Sequence, residues 1–209
     1  SPQRFFYWSA LAAISAAVRK NVWINKRGVY NLYPNIYVLL MAKSGLRKGF
    51  PVTVAKNLVA EIKVTRVISG RNSIQAIMKD LAKAYTTEEG NVVKTAEGFL
   101  VSGEFSSFLL HDPSALTILT DIYDTHAHEK EWKNMLKQAG IDILHSPCIT
   151  ILAASNEEHF RDAVPPKDIK GGFVGRTSIV YEEKKGHVDS LLDENEIESI
   201  PINYKNLAL

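Results

Sequence analysis

Apolar and polar positions along this chain predict buried strands separated by helices. Continuous apolar runs rich in β-branched residues, typical of strands buried on both faces, lie at 35–41, 64–69, 98–102, 148–154 and 177–181. Apolar composition or helical spacing predicts helices at 5–20, 52–62, 72–85, 113–123 and 157–163. Strands and helices in this order indicate a three-layer α/β domain with a mostly parallel central sheet.

The segments between these elements predict turns and hairpins. We expect a short hairpin at 22–29, a loop or hairpin at 86–97, and a hairpin at 129–143 that returns to the sheet. The first helix is apolar all round and should be mostly buried, and Trp8 and Trp23 are expected in the core. The chain then divides into an N-terminal helix and hairpin packed on the core (1–34), the core (35–182), and a tail or the start of a further segment (183–209).

Composition narrows the class of protein without naming an activity. A chain of 209 residues, 45% of them hydrophobic, can bury a core without disulfides or a structural metal. Its formal net charge of +2 excludes a strongly basic nucleic-acid coat, although not a local basic patch. The single cysteine, Cys148, suits a reducing cytoplasm, and no segment is long and apolar enough to cross a membrane. We therefore predict a cytoplasmic protein without a membrane partner.

The segment 42–49 lies between a predicted strand and a predicted helix, where a phosphate-binding loop of pattern G-x-x-x-x-G-K-[ST] would lie. It reads Ala-Lys-Ser-Gly-Leu-Arg-Lys-Gly, and only Lys48 matches the pattern strictly. Backbone amides at a helix N-terminus bind phosphate, and a lysine there neutralises the β- and γ-phosphates. The alternative is a basic surface turn that contains Lys43, Arg47 and Lys48.

Polar residues follow two of the other predicted strands. Glu104 comes just after the strand at 98–102, where a glutamate can polarise an attacking water, or can simply open a helix at Phe105. Ser155 or Asn156, at the end of the strand 148–154, could sense a γ-phosphate, whereas capping of the next helix is the alternative for Asn156. Both strand ends are therefore candidate sites with a structural alternative.

Two further groups of residues suggest chemistry. Arg176 closes the segment Gly-Gly-Phe-Val-Gly-Arg and could reach a nucleotide on the same or a neighbouring subunit, or be an exposed strand arginine. His126 and His128 would place two rings on one side of a strand, with His145 nearby in sequence. Because no cysteine or carboxylate cluster completes a zinc set, we predict no metal bound by these histidines.

The order of these segments resembles the RecA-like P-loop ATPases of phages and prophages, which are helicase-like or primase-associated replication proteins. Similar proteins open like Trp8-Ser-Ala-Leu-Ala-Ala-Ile, continue like Tyr33-Pro-Asn-Ile-Tyr-Val, and carry a loop of the Pro-Ser-Gly-x-Arg-Lys-Gly-Thr kind, here Lys-Ser-Gly-Leu-Arg-Lys-Gly-Phe at 43–50. They also share a strand ending in Ser-Asp-Glu (102–104 here), a segment like Leu-Thr-Asp-Ile-Tyr-Asp (119–124) and Gly-Gly-Phe-x-x-Arg (171–176). The likeness covers residues 2–182.

The resemblance implies a RecA-like P-loop NTPase domain that binds ATP, with Mg²⁺, and couples hydrolysis to DNA in a homo-oligomer such as a ring. The nucleotide would be bound by Ser44, Gly45, Arg47, Lys48 and Gly49. In catalysis, Glu104 would orient the attacking water, Asn156 would sense the γ-phosphate, and Arg176 would act across a subunit interface.

The chain departs from the family at two positions that matter for Mg²⁺. Phe50 replaces the hydroxyl residue of the loop, and Gly103 replaces the aspartate before Glu104. Both departures favour a second hypothesis, a degenerate P-loop domain that does not hydrolyse ATP and serves as an assembly or DNA-binding scaffold. A third hypothesis is an α/β domain that binds no nucleotide.

Overall fold

We describe the fold from a computed structural model, which describes residues 1–70, 72–86, 90, 92–105, 112, 114–128, 131–136, 140–164 and 172–183. The first half of the chain forms α1 (Gln3–Val18), β1 (Ile24–Lys26), β2 (Tyr30–Leu32), β3 (Tyr37–Ala42), α2 (Gly49–Ile62), β4 (Val67–Ser69), α3 (Ile74–Leu81), β5 (Tyr85–Thr86), β6 (Val92–Val93) and β7 (Glu97–Ser102). The second half forms α4 (Ala115–His128), β8 (Glu131–Leu136), β9 (Gly140–His145), β10 (Cys148–Ser155), α5 (Glu157–Ala163), α6 (Gly172–Arg176) and β11 (Thr177–Glu182). The predicted tail from 184 onward lies outside the described residues.

A five-stranded sheet forms the centre of the molecule. Its strand order is β11-β3-β10-β7-β4, and every neighbouring pair is parallel. All six residues of β3 and all eight of β10 are buried, because both strands lie inside the sheet and are covered on both faces. The α/β class and the largely parallel sheet predicted from the apolar runs are confirmed.

Helices cover both faces of this sheet and complete three layers. On one face, Phe5 and Ala12 of α1 and Val52 of α2 pack against alternate residues of the strands, such as Leu40. On the other face, side chains of α3, α4, α5 and α6 pack against the intervening strand residues; they include Ile77, Leu119, Phe160 and Phe173. The alternation follows from the period of two along a strand, which sends successive side chains to opposite faces.

The connections that follow the neighbouring strands β3 and β10 lead to opposite sides of the sheet. The connection after β3 runs through α2 towards β4, whereas the connection after β10 runs through α5 and α6 towards β11 at the opposite edge. Open parallel sheets bind ligands beyond the carboxyl ends of neighbouring strands whose connections diverge in this way, and β3 and β10 are such a pair. A ligand site is therefore expected at this topological switch point, beyond the carboxyl ends of β3 and β10.

The first helix is only partly buried, so the prediction that it is mostly buried is wrong. Phe5 is fully buried, whereas Tyr7 and Ile14 are 61% and 57% exposed. The buried face is fixed by the Ser15 hydroxyl, which lies 2.7 Å from the carbonyl of Pro34 and 2.6 Å from the Thr150 hydroxyl. An apolar residue on the outward face costs little, and apolar atoms cover much of any protein surface.

Three local expectations need correction. Trp23 is 54% exposed and lies outside the core, although Trp8 packs against it as predicted. The segment 129–143 contributes to a hairpin, but β8 and β9 pair with each other in a separate two-stranded sheet instead of returning to the central one. His126 and His128 lie in α4 rather than in a strand, so residues two apart do not share a face there.

The predicted hairpin near Asn25 forms, with Ile24 opposite Leu32. Ser73 caps α3 by accepting a hydrogen bond from the Ala76 amide. Within the described part of the chain, no helix is long and apolar enough to cross a membrane.

Candidate functional site

The carboxyl ends of three neighbouring strands, β3, β10 and β7, define the candidate site. The register places Ser155 of β10 beside Met41 of β3, and Ala153 beside Ser102 of β7. Glu104, two residues beyond Ser102, is therefore level with Ser155. The loop between β3 and α2 begins directly after Ala42 and emerges at this same carboxyl edge.

The loop 43–48 has a backbone conformation set by two left-handed residues. Gly45 has φ +90°, which glycine adopts without strain, and Arg47 has φ +53°. Lys48 returns to right-handed helical angles at the N-cap of α2, and the Phe50 amide donates to the Arg47 carbonyl at 3.0 Å. Alternation of left- and right-handed residues turns successive N–H groups towards one side, the arrangement of an anion-binding nest.

The side chains of this loop differ in their exposure. Leu46 is buried and anchors the loop to the core face that α1 and α2 cover. Lys43, Ser44 and Arg47 are exposed, whereas Lys48 is half-buried at the start of α2. A cation at the first turn of a helix repels the positive end of the helix dipole unless an anion lies between them. The structure thus combines a lysine, backbone amides and a helix N-terminus at one place.

The Ser155 hydroxyl donates a hydrogen bond to Glu104 Oε1 at 3.1 Å. Ser155 is fully buried, and Glu104 is half-buried just beyond the end of β7. This contact orients the only carboxylate that follows β7 directly. The resemblance implied Asn156 rather than Ser155 as the γ-phosphate sensor, whereas the structure shows that Ser155, on the same face of β10 as Ala153 and Ile151, is the residue whose side chain contacts Glu104.

Asn156 caps the N-terminus of α5. Its Oδ1 accepts a hydrogen bond from the Glu158 amide at 3.0 Å, as an N-cap side chain does. The capping alternative stated for this residue is therefore present in the structure. Asn156 still lies at the carboxyl edge, next to Ser155, so the loop 43–49, Glu104 and Asn156 all lie at one edge of the sheet.

Arg176 lies at the amino ends of the strands, on the side of the sheet opposite to this carboxyl edge. It directly precedes β11, whose first residue, Thr177, pairs with the first residue of β3, Tyr37. Six strand residues separate the two edges, a distance of about 20 Å. Within one chain Arg176 and Lys48 are therefore not brought together.

Arg176 is instead bound to α4. Its Nε donates to Asp124 at 2.8 Å, its Nη2 also donates to Asp124, and its Nη1 donates to the Gly172 carbonyl at 2.9 Å. The hydrogen bond with Asp124 raises the pKa of Arg176, so the guanidinium stays charged throughout the accessible pH range.

The first residue of α6, Gly172, explains part of the pattern of the segment that ends at Arg176. A Cβ at Gly172 would lie 2.6 Å from Arg176 Nη1 and 2.8 Å from Thr120 Cγ2, so only glycine lets α6 approach α4 this closely. Phe173 enters the core and stacks on Phe105, with ring centroids 5.8 Å apart. The Gly-Phe-x-x-Arg part of the segment thus attaches α6 to its neighbours.

The oxygen ligands available for Mg²⁺ at the carboxyl edge are few. Phe50 is 59% exposed and packs edge-to-face on Phe6, with centroids 5.8 Å apart, where the similar proteins have a hydroxyl. Gly103 has no side chain to offer, so the oxygen groups that the structure brings into contact beyond β7 and β10 are the Glu104 carboxylate and the Ser155 hydroxyl. Magnesium at phosphate sites takes one or two carboxylates together with phosphate oxygens, so this reduced set still fits the ion. Among the described residues, no group of three or more histidine, cysteine, aspartate or glutamate side chains could hold a metal.

A scan against protein-family models and a search of the curated proteins found no match to this chain. What the chain does must therefore be inferred from its own residues.

Proposed function

We propose that this chain is the ATP-binding domain of a mobile-element DNA replication protein, and that it hydrolyses ATP as a helicase-like motor of RecA-like P-loop type. The observation that supports this most is the position of the loop 43–48. The loop leaves a fully buried strand at the switch point of a parallel sheet and leads directly into the first turn of α2. Phosphate-binding loops occupy this place in nucleotide-binding α/β domains.

The residues at this edge have separable tasks in the proposed reaction. The amides of the first turn of α2 bind phosphate oxygens, and Lys48 contacts the β- and γ-phosphates. Ser44, Gly45, Arg47 and Gly49 complete the phosphate contacts through backbone and charge. Glu104, held by Ser155, orients the attacking water, and Asn156 lies where a γ-phosphate can be sensed. Mg²⁺ would be held by Glu104 together with the phosphates and would neutralise charge that develops during transfer.

The role of Arg176 in this proposal requires a second copy of the chain. The residue is half-buried at the amino edge and bound to Asp124. To stabilise the transition state of a neighbouring subunit it would exchange this carboxylate for phosphate oxygens, in a head-to-tail ring. DNA is the proposed partner of such a ring.

A second candidate function is a scaffold that binds ATP without hydrolysing it. Two observations favour it: the loop has the aromatic Phe50 in place of a hydroxyl, and Gly103 leaves one carboxylate after β7. Groups that stabilise developing charge contribute more to the transition state than to binding, so their loss lowers turnover before it lowers affinity.

Calorimetric titration with a non-hydrolysable ATP analogue tests the proposal, with Lys48→Ala and Lys56→Ala as a matched pair on the same helix. We expect Lys48→Ala to weaken binding about tenfold or more, since it removes a charge-assisted hydrogen bond, and Lys56→Ala to leave it unchanged. Absence of binding by the unaltered protein, or equal effects of the two substitutions, would overturn the proposal. Turnover with Mg²⁺ and DNA, abolished by Lys48→Ala, supports the motor; binding without turnover supports the scaffold.

A further inference from the structure

The hairpin of β1 and β2 stands out from the surface that surrounds it. Every residue from 21 to 29 is exposed, and the large apolar side chains among them are unusually open: Val22 55%, Trp23 54%, Ile24 61% and Val29 80%. The hairpin is anchored through β2, which packs on α4. Exposed aromatic and β-branched residues in a short ribbon are typical of a surface that binds a partner.

The charge of the same segment is one-sided. Residues 19–33 hold four of the chain's 25 Lys and Arg and none of its 23 Asp and Glu, although the whole chain is close to neutral. Two of these cations are already used: Arg19 pairs with Glu97 at 3.5 Å, and Lys20 donates to Ser146 and lies 4.4 Å from the centre of the Tyr33 ring. Lys26 and Arg27, at the end of the hairpin, are exposed and remain for a partner.

We propose that the hairpin 22–32 binds single-stranded DNA, with a base stacked on Trp23 and the phosphate backbone on Lys26 and Arg27. Surfaces for single strands combine cations that follow the backbone with aromatic rings on which unpaired bases stack. From residue 23 to residue 27 the ribbon spans about 13 Å, enough for two successive nucleotides. This deepens the proposed function, on which it rests for DNA as the polymer.

Single-stranded DNA fits the hairpin better than a second copy of the chain or an anionic membrane. A two-fold symmetric contact between hairpins of two copies would bring Lys26 and Arg27 of both copies together, and like charges in a contact oppose association. A membrane-bound segment needs a larger cluster of cations than these two. A single strand uses both the aromatic ring and the charges.

The hairpin lies at the amino ends of the sheet's strands, whereas the loop 43–48 lies at their carboxyl ends. The hairpin begins where α1 ends, beside Glu97 and Ser146 at the starts of β7 and β10, and it leads into the first residue of β3. The loop 43–48 lies at the carboxyl edge instead. Binding of DNA and of nucleotide can therefore be measured separately.

The test measures the anisotropy of a fluorescein-labelled 20-nucleotide oligo(dT), without nucleotide, over a range of salt concentrations. We expect Trp23→Ala to weaken binding about fivefold or more at unchanged salt dependence, and Trp23→Phe to restore most of it. Lys26→Glu with Arg27→Glu should weaken binding more and make the log–log salt slope shallower by about 1.4, at about 0.7 for each phosphate that is no longer neutralised. Lys79→Glu with Lys83→Glu, the same charge change on another exposed surface, should have little effect.

Several outcomes overturn the proposal. One is an equal loss of affinity for oligo(dT) in the hairpin variants and in the Lys79/Lys83 control. Others are equal affinity for duplex DNA, absence of oligo(dT) binding, and hairpin variants that change only self-association or binding to phosphatidylserine vesicles. Thermal unfolding of each variant establishes that it folds. ATP binding, measured on the same preparations, should be unaffected by the hairpin substitutions; its absence in the unaltered protein would overturn the proposed nucleotide site and leave the hairpin result standing.

Discussion

Arg176 Nε donates a hydrogen bond to Asp124 at 2.8 Å, and this contact joins two segments that lie 52 residues apart. Both segments, 119–124 and 171–176, belong to the resemblance described above, and the structure shows that they bind each other. Tyr37 of β3 also contacts the first of these segments, because its hydroxyl donates to the Leu119 carbonyl at 3.0 Å. A shared sequence pattern can therefore reflect the packing of α6 on α4 as well as chemistry.

We predict that Gly172→Ala destabilises the protein by about 1–3 kcal/mol, because the new methyl group overlaps Thr120 and Arg176. Gly175→Ala, in the same short helix, is the control: a Cβ there meets nothing within 4 Å, so the change should be neutral. Urea unfolding of both variants measures the difference. If the overlap with Arg176 dominates, Arg176→Ala should remove part of the destabilisation in the double variant; equal stabilities of the two alanine variants would contradict the packing argument.

At the candidate site, Glu104→Gln should lower kcat for ATP about a hundredfold or more and leave nucleotide binding intact, if Glu104 orients the attacking water. Ser155→Ala should lower kcat about tenfold, because it removes one hydrogen bond to that carboxylate. Ser69→Ala, at the end of β4, serves as the control. Steady-state turnover with DNA and Mg²⁺ is the measurement. Wild-type turnover in Glu104→Gln would exclude the assigned role.

The two faces of α1 should differ in their effect on stability. Phe5→Ala removes a fully buried ring and should cost about 3–5 kcal/mol, whereas Ile14→Ala, at a side chain 57% exposed, should stay within about 0.5 kcal/mol. Chemical denaturation of both variants tests this. Similar destabilisation at the two positions would mean that the outward face of α1 is covered in solution.

Cys148 should be inert in the folded protein. Burial, with a smaller effect of Glu97, raises the pKa of its thiol to about 12, so almost no thiolate exists at pH 8. Iodoacetamide should modify the residue only after unfolding. Because the folded pKa lies above the unfolded value of about 9, this thiol's contribution to the free energy of unfolding is complete below pH 9 and is lost as pH rises towards 12. Cys148→Ala should lack that part of the pH dependence, and rapid modification of the native thiol would contradict the prediction.

The sheet was predictable because its strands are buried on both faces. A run such as that of β10 has no polar face, and few structures other than an internal parallel strand explain it. The helix α1 shows the limit of the same reasoning. Its apolar residues on all sides indicated burial, but which face meets the sheet depends on Ser15 reaching Thr150, 135 residues away.

The candidate site was predictable as far as strand ends could be located. Loop 43–48, Glu104 and the end of β10 all lie where the sequence placed them, because parallel strands bring their carboxyl ends to one edge. The strand order was not accessible, so the sequence could not show that Arg176 lies at the far edge of the same chain. Ser155 and Asn156 could be distinguished only once their side chains had partners.

Helix α1 runs beside both regions that the proposals concern. Phe6, near its beginning, touches Phe50 just after the loop 43–48, and Lys20, just past its end, holds Ser146 where the hairpin starts. With 16 residues it is about 24 Å long, so a single helix connects the two regions. In the proposed function, a tilt of this helix on triphosphate binding would displace the root of the hairpin at its other end, and would link a DNA strand held there mechanically to the state of the nucleotide.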